Sequence, residues 1–292
     1  MLAYFDESEQ PAEVLPAASI SAITGTGLQW VNFNRGWDGV LEEYQVVDKH
    51  GRRVFHTTDF ETPEGRLRTC YEQWPDEKRK EFSRRLLDVI ASSGIRANAS
   101  TLIVDEYIEV AKRFTASPQV TRLETADQFK VFENHYCFLA LFAMLFAAKE
   151  AGYFPKGSEM AYFFEAGGNY QHFVGLLYNT MLLEAPLAEH FRFASKPNFV
   201  AKDFAYGLQA ADKIAYESSK HASHFRDLNP PLKYAEVIEG DLRWKTRYAL
   251  IHLYERGLDV RMQHWRKGDL EMFFHLRQEH DDGDALTTLN DS

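Results

Sequence analysis

The sequence predicts an α/β fold, with a mixed central β-sheet flanked by helices on both faces and a C-terminal helical extension. Short apolar segments of strand length alternate with longer segments of helical periodicity, and the first part of the chain is richer in strands. The segment HYCFLALFAMLFAAKE is apolar around its whole circumference, so it predicts a helix buried between two layers. It is too short to cross a bilayer.

The predicted strands are short apolar segments that end in turn residues or acids. They cover residues 2–5, 17–23, 53–56, 102–104, 161–164 and 191–194, and the last of these resembles an edge strand. Because the early strands follow one another closely while later ones are separated by helices, we expect both antiparallel and parallel pairs in the sheet.

The predicted helices have apolar faces of helical periodicity and recognisable ends. Trp30, Phe33 and Trp37 line one face of a helix over residues 28–44. Pro75, followed by acids, begins a helix that ends near residue 92, and Thr125 caps a long helix over residues 126–152. Two more helices are expected at residues 170–184 and 204–221.

The C-terminal part of the chain differs in character from the rest. After two prolines, residues 232–257 and 258–278 predict two charged amphipathic helices, and the acidic end of the chain predicts a disordered tail. We therefore divide the chain into an α/β domain (1–228), a helical extension (229–280) and a tail (281–292). The extension has enough apolar surface to dock on the domain or to form a homo-oligomer through its helices.

Composition excludes several classes of function. The formal net charge of −10 argues against passive coating of nucleic acid, which requires a broad basic surface. Two cysteines without a Cys-x-x-Cys pair argue against a zinc ribbon and a disulfide framework. The N-terminus carries acids where a signal peptide would be basic and then apolar, so we expect a cytoplasmic protein with no membrane association.

Three acids are attached to apolar elements, which is unusual for charged residues. Asp6 and Glu165 follow predicted strands, and Asp212 shares a helical face with Ala211 and Ala215. A buried carboxylate is unfavourable unless it is paired or binds a metal, and carboxylate oxygens suit Mg²⁺ or Mn²⁺. Two such ions can cleave phosphodiesters. The alternative is that each acid is a solvated or structural element end, which is common for a single acid.

Several segments resemble the domain of unknown function 3800 family, in the same order along residues 1–222. They are AYFDES, the helix with Trp30 and Trp37, FHTTDF, YEQWPDEKRKEFSRRLLDVI, YFFEAG and GLQAADKIAYE. Each is short, and DES and QAAD are the most specific. The resemblance implies an RNase H-like fold with an acidic metal site. Where the family has glycine after Asp-Glu-Ser, this chain has Glu9, which is expected to alter the local turn or add an acid.

The resemblance also implies roles for individual residues. Asp6, Glu165 and Asp212 would be the metal ligands and catalytic acids. His56 and Asp59 match a His-x-x-Asp pattern of the family. An imidazole beside a metal can shuttle a proton or contact a phosphate oxygen, whereas a hydrogen-bonded structural histidine and a turn-capping aspartate are the alternatives.

Further candidates are accessory to these residues. Glu7 is expected to point away from Asp6 because side chains alternate along a strand, and Gln209 would orient a carboxylate or face a loop. Arg243 and Arg247 are candidate substrate-binding residues if the extension folds over the site. The expected function is a Mg²⁺- or Mn²⁺-dependent nuclease acting on RNA or DNA. An inactive RNase H-like binding module and a phosphatase for small phosphoesters are the alternatives.

Overall fold

The centre of the computed structural model is a six-stranded sheet. The structure describes residues 1–10, 16–48, 50–67, 69–117, 130–151, 158–168, 170–183, 189–224, 242–258 and 260–275. The strands are β1 (Leu2–Gln10), β2 (Ala17–Gly25), β3 (Arg96–Ile103), β4 (Ala161–Glu165), β5 (Asn198–Val200) and β6 (Arg261–Trp265). Their order across the sheet is β5-β4-β1-β2-β3-β6.

The sheet is mixed, as the sequence predicts. β1, β2 and β3 form an antiparallel meander, whereas β4 pairs in parallel with β1, β5 with β4, and β6 with β3. β1, β4 and β5 therefore run in one direction, and their carboxyl ends face the same edge of the sheet. The end of β4 and the residues after β5 therefore lie beside the middle of β1, where its pairing with β4 stops.

Helices cover both faces of this sheet. They are α1 (Gly27–Glu43), α2 (Thr57–Glu61), α3 (Pro63–Arg66), α4 (Asp76–Ser92), α5 (Val104–Thr115), α6 (His135–Ala151), α7 (Gln171–Leu183), α8 (Tyr206–His224) and α9 (Leu242–Glu255), and residues 267–275 are also helical. Buried side chains of α1, α4, α8 and α9 form one core, and those of α5, α6, α7 and 267–275 form the other. None of the described helices is long and apolar enough to pass through a membrane.

α8 lies unusually close to the sheet because small residues line its inner face. Ala210 and Ala211 are fully buried, and the Ser21 hydroxyl of β2 donates a hydrogen bond of 2.7 Å to the Ala211 carbonyl. A Cβ on Gly207 would lie 2.5 Å from ring carbons of Tyr4 in β1. This close contact brings the first half of α8 beside the carboxyl ends of β1 and β4.

Four sequence predictions need correction. β1 does not stop at Phe5, because it pairs with β2 as far as Gln10. Residues 53–56 are not a strand, since the Phe55 N–H donates to the Gln209 side chain, not to a neighbouring strand. Residues 191–194 contribute only an isolated bridge, because Arg192 has a φ of 48°, and β5 lies beside β4 instead.

The fourth correction concerns the C-terminal extension, where residues 258–278 are not one helix. Residues 261–265 form β6, which pairs with β3 and covers an edge that would otherwise expose unpaired backbone groups. Trp265 packs against the core that α5, α6, α7 and residues 267–275 form. Its indole N–H donates a hydrogen bond of 2.9 Å to the Ser100 hydroxyl. The predicted helices at 28–44, 75–92, 170–184 and 204–221 are confirmed within a few residues. The helix predicted over 126–152 is confirmed only as α6, because Lys130–Glu133 form a separate 3₁₀ turn before it. Residues 126–129, 232–241 and the tail 281–292 lie outside the described residues.

Candidate acidic site at the sheet edge

Asp6, Glu165 and Asp212 meet at the edge where the parallel strands end. Phe5 of β1 is level with Phe164 of β4, so the next residues, Asp6 and Glu165, emerge side by side on the same face. α8 packs on that face and contributes Asp212 from its first half. Asp6 is fully buried, and Asp212 is nearly so. Sheet register and helix packing thus place three carboxylates together.

A lysine lies at the centre of these carboxylates. Lys202 begins a short 3₁₀ turn (Lys202–Phe204) that follows β5, and its side chain is 8% exposed. Its Nζ lies 2.7 Å from Asp6 Oδ2, 3.3 Å from Glu165 Oε2 and 3.5 Å from Asp212 Oδ2. One buried ammonium therefore balances part of the charge of three acids.

Burial and charge act against each other at this centre. Burial raises the pKa of Asp6 well above its ordinary value; Lys202 opposes this rise, and the carboxylates of Asp212 and Glu165 add to it. Burial disfavours the charge of Lys202, but Asp212, Asp6 and Glu165 outweigh it and raise the pKa of its ammonium. Lys202 therefore holds its proton more firmly than a free lysine, whereas Asp6 gives up its proton less readily than a free aspartic acid.

Glu7 also joins the site, although strand alternation predicts that it points away. Its carboxylate contributes an oxygen to a group with Asp6 and Glu165, in which the three oxygens lie within 4.8 Å of one another. β4 ends at Glu165, so no β4 residue stands beside Glu7, and the Glu7 carboxylate lies near that end of β4. Burial raises the pKa of Glu7, the nearby Tyr170 hydroxyl opposes this rise, and Glu165 adds to it.

His56 and Asp59 lie beside the acidic residues, not among them. The backbone N–H of Thr57, the first residue of α2, donates a hydrogen bond of 2.8 Å to Asp212 Oδ2. His56 precedes that residue and, with Asp59, lines a recess that also includes Arg52 and Asp203. The segment therefore orients Asp212 through its backbone, while the two side chains face the adjoining recess.

Gln209 connects three segments behind the site. Its side-chain oxygen accepts hydrogen bonds from the Trp37 indole N–H at 3.0 Å and the Phe55 N–H at 3.1 Å, and its amide nitrogen donates to the Lys202 carbonyl at 3.2 Å. Among the described contacts, Gln209 does not bond a carboxylate. It holds the backbone of Lys202, a task that the sequence does not predict.

Three other candidates lie apart from the acidic centre or outside the described side chains. Glu9 Oε2 accepts a hydrogen bond of 2.6 Å from the Tyr136 hydroxyl and lies 3.6 Å from His135 Nε2, at the start of α6. β1 is still extended at Glu9, so this position has no tight turn that would need glycine. Arg243 and Arg247 belong to the first turns of α9, and their side chains lie outside the described part of the chain.

Sequence reasoning missed Lys202, the residue nearest to all three acids. One signal was present: a buried carboxylate cluster requires a cation, and Lys202 lies ten residues before Asp212 in a segment with few other charges. The sequence predicts the last strand at 191–194, which places Lys202 in the connection that follows it and not beside the site. Comparison of the chain with known protein families, curated proteins and solved structures found no match. What the site can do must therefore follow from its geometry.

Proposed function

We propose that this protein is a divalent-metal-dependent nuclease that hydrolyses phosphodiester bonds of RNA or DNA at the acidic site. The observation that carries the proposal is the group of three carboxylates, Asp6, Glu7 and Glu165, whose oxygens lie within 4.8 Å of one another beside Asp212. This group lies at the carboxyl end of β4, where its parallel pairing with β1 stops, and open α/β sheets bind ligands at such strand ends.

The fold supports the same proposal. A mixed sheet with a first-strand aspartate, a second strand-end glutamate and an aspartate on the last core helix is the arrangement that the resemblance to the domain of unknown function 3800 family implies. We propose on this basis that the chain has an RNase H-like fold and belongs to that family. Asp6 lies in β1, Glu165 ends β4 and Asp212 lies in α8, and we propose that they correspond to these three positions.

The donor set fits a hard divalent cation. Carboxylate oxygens are the ligands that Mg²⁺ and Mn²⁺ prefer, and the described site offers no sulfur ligand. Four carboxylates face one ammonium, so the centre has more negative than positive charge. Asp6, Glu165 and Glu7 would hold the ion, which when bound lowers the pKa of a water and stabilises charge on phosphoryl oxygens.

The surrounding residues would bind and orient the substrate. The recess that His56 and Asp59 line has a volume of about 400 Å³, within the usual range for small-ligand clefts, and it adjoins the site through Thr57, whose N–H bonds Asp212. We assign the imidazole of His56 to a phosphate contact or a proton transfer there, and Asp59 to the same wall. Arg243 and Arg247 are proposed to contact the nucleic acid backbone, and charge reversal at both should weaken binding and reduce its salt dependence.

A cleavage assay with a metal-binding measurement tests the nuclease proposal. The purified protein should cut RNA, DNA or hybrid substrates with Mg²⁺ or Mn²⁺ and lose this activity in excess chelator. Asp6→Asn should weaken Mn²⁺ binding by more than the roughly 10- to 100-fold that loss of an outer-shell partner costs. Glu9→Gln is the matched control, because it neutralises an acid of the same strand that bonds Tyr136 instead.

Two outcomes would contradict the nuclease assignment. Cleavage that persists in an Asp6→Asn, Asp212→Asn double variant would place the activity elsewhere. Calorimetry that shows no Mn²⁺ binding, with a stable protein partner in a pull-down, would favour the inactive binding module. Hydrolysis of a chromogenic phosphoester without nucleic-acid cleavage would instead favour the phosphatase. Gel filtration tests self-association through the C-terminal helices, and fractionation of the source cells tests the cytoplasmic location.

A further inference from the structure

Lys202 occupies a cation position within the acidic site. Its ammonium lies within 3.5 Å of Asp6, Glu165 and Asp212, between β1, β4 and α8. Glu7 belongs to the same acidic group but forms none of the described ion pairs with Lys202. Two catalytic ions are typically about 3.5–4 Å apart and share carboxylates, so a second ion would compete with this ammonium for the same acids.

We propose that Lys202 is a built-in cation of this centre, so that the site binds one divalent ion and not two. The inference rests on the proposed metal-dependent function and adds the number of ions to it. The single ion would use the oxygen group of Asp6, Glu7 and Glu165, and two of these, Asp6 and Glu165, would also contact Lys202. Asp212 lies outside that group, so of the two cations it would contact only the lysine. Asp212 is then a residue that positions the lysine.

Repulsion between cations favours a single ion. The four carboxylates and the ammonium together carry a formal charge of −3 when all are ionised. One divalent ion leaves −1, whereas a second makes the centre positive and places another cation beside the ammonium. In a buried site that repulsion is unfavourable, because ions there are screened far less than in water.

The backbone around Lys202 supports a fixed cation. Its carbonyl accepts a hydrogen bond from Gln209 Nε2, and Gln209 is in turn held by the Trp37 indole N–H and the Phe55 N–H. The next residue, Asp203, forms an ion pair with Arg52. These contacts hold the turn that carries Lys202 on both sides, and the ammonium is nearly excluded from water, so displacement by a metal would break several interactions at once.

A fixed ammonium would also serve the reaction. Lysine is a compact charge with three N–H donors, and amines of this kind stabilise negative charge that develops on phosphoryl oxygens. Placed beside Asp6, Lys202 would supply charge stabilisation that a second ion provides in two-metal sites. This role is electrostatic and requires no proton transfer from Lys202.

The stoichiometry of Mn²⁺ binding to the full chain tests the inference. Isothermal titration calorimetry of the wild type should give one ion per chain, and Lys202→Met should give two. Lys213→Met is the matched control: Lys213 is another buried lysine of α8, paired with Glu61 at 2.5 Å and Glu217 at 2.8 Å away from the acidic centre. This control should still bind one ion.

A second readout uses thermal unfolding of the same variants. Without metal, Lys202→Met should have a lower Tm than the wild type. Added Mn²⁺ should raise the Tm of Lys202→Met by more than it raises that of the wild type, because ligands that bind only the folded state stabilise it. An equal rise in Tm in both proteins would count against a cation role for Lys202.

If Lys202→Met does not fold, two variants that keep the lysine decide the matter. Glu7→Gln should weaken Mn²⁺ binding more than Asp212→Asn does, because Glu7 is assigned to the ion and Asp212 to Lys202. The reverse order would overturn the inference, as would two ions in the wild type or one in Lys202→Met. A wild type that binds no Mn²⁺ would instead overturn the proposed function itself.

Discussion

Replacing Gln209 with leucine should destabilise the protein more strongly than an ordinary core substitution. The side chain is fully buried and makes three hydrogen bonds, two as acceptor and one as donor. Leucine has a similar volume but cannot bond, so the variant leaves the Trp37 indole N–H, the Phe55 N–H and the Lys202 carbonyl without their partner. No cavity is expected, and the loss is therefore one of polar contacts.

The magnitude follows from the number of groups left without a partner. Each buried polar group that loses its hydrogen bond costs about 1–3 kcal/mol, and local adjustment limits the sum. The free energy of unfolding of Gln209→Leu should therefore fall by about 3–5 kcal/mol, near the upper end for single substitutions. Because the Lys202 carbonyl loses its donor, Mn²⁺ binding should also weaken.

A double-variant cycle distinguishes this explanation from a general packing defect. Urea unfolding followed by circular dichroism would be measured for Gln209→Leu, Trp37→Phe and the double variant. Trp37→Phe removes the indole N–H, so Gln209→Leu then leaves two polar groups without a partner instead of three. In the Trp37→Phe background, Gln209→Leu should therefore lower the free energy of unfolding by about 1–2 kcal/mol less.

Additive costs in this cycle would refute the hydrogen-bond explanation. Gln171→Leu is the matched control, because the exposed Gln171 side chain also accepts one backbone N–H, that of Gly167 at 3.0 Å. Its effect should stay within about 0.5 kcal/mol, as for most surface substitutions. A loss in Gln171→Leu as large as that in Gln209→Leu would also contradict the reasoning.

Two further predictions concern the strand and the helix that form the site. Burial, with Asp212 and Glu165, raises the pKa of Asp6 above its ordinary 3.8, so ionising Asp6 destabilises the metal-free fold as pH rises through the raised value. Asp6→Asn should then melt above the wild type near pH 8 without metal, and the gain should disappear near pH 4. Gly207→Ala should cost about 1–3 kcal/mol by overpacking against Tyr4, whereas Gly175→Ala, which meets no neighbour, should stabilise α7 by about 0.5–1 kcal/mol.

Local patterns predict most of the fold because they reflect local physics. The aromatic face of α1, the proline and acids that begin α4, and the small inner face of α8 are visible in the sequence, and the structure has each helix within a few residues. The strands are less predictable, since a strand needs a partner that the sequence does not name. Residues 53–56 look like a strand, but Phe55 bonds Gln209 and α2 follows.

The same distinction applies to the site. Asp6, Glu165 and Asp212 stand out because each is a charge on an apolar element, and sheet register then brings them together. Glu7 does not follow from alternation, because its position depends on where the neighbouring strand β4 ends. Lys202 depends on the location of β5, which three residues form and no periodicity marks.

The position of Lys202 bears on two properties of the acidic site: the stability of the fold without metal and the proposed binding of a metal ion. Carboxylates that gather for a metal repel one another before the metal arrives, and a centre made only of acids would weaken the metal-free fold. An ammonium at 2.7–3.5 Å from three of them reduces this repulsion without any bound ion. In the metal site that we propose, the same charge would reduce the number of ions that the centre accepts. Stability without metal and the proposed single-ion site would then be two consequences of one residue, which is why Lys202→Met is expected to change both measurements together.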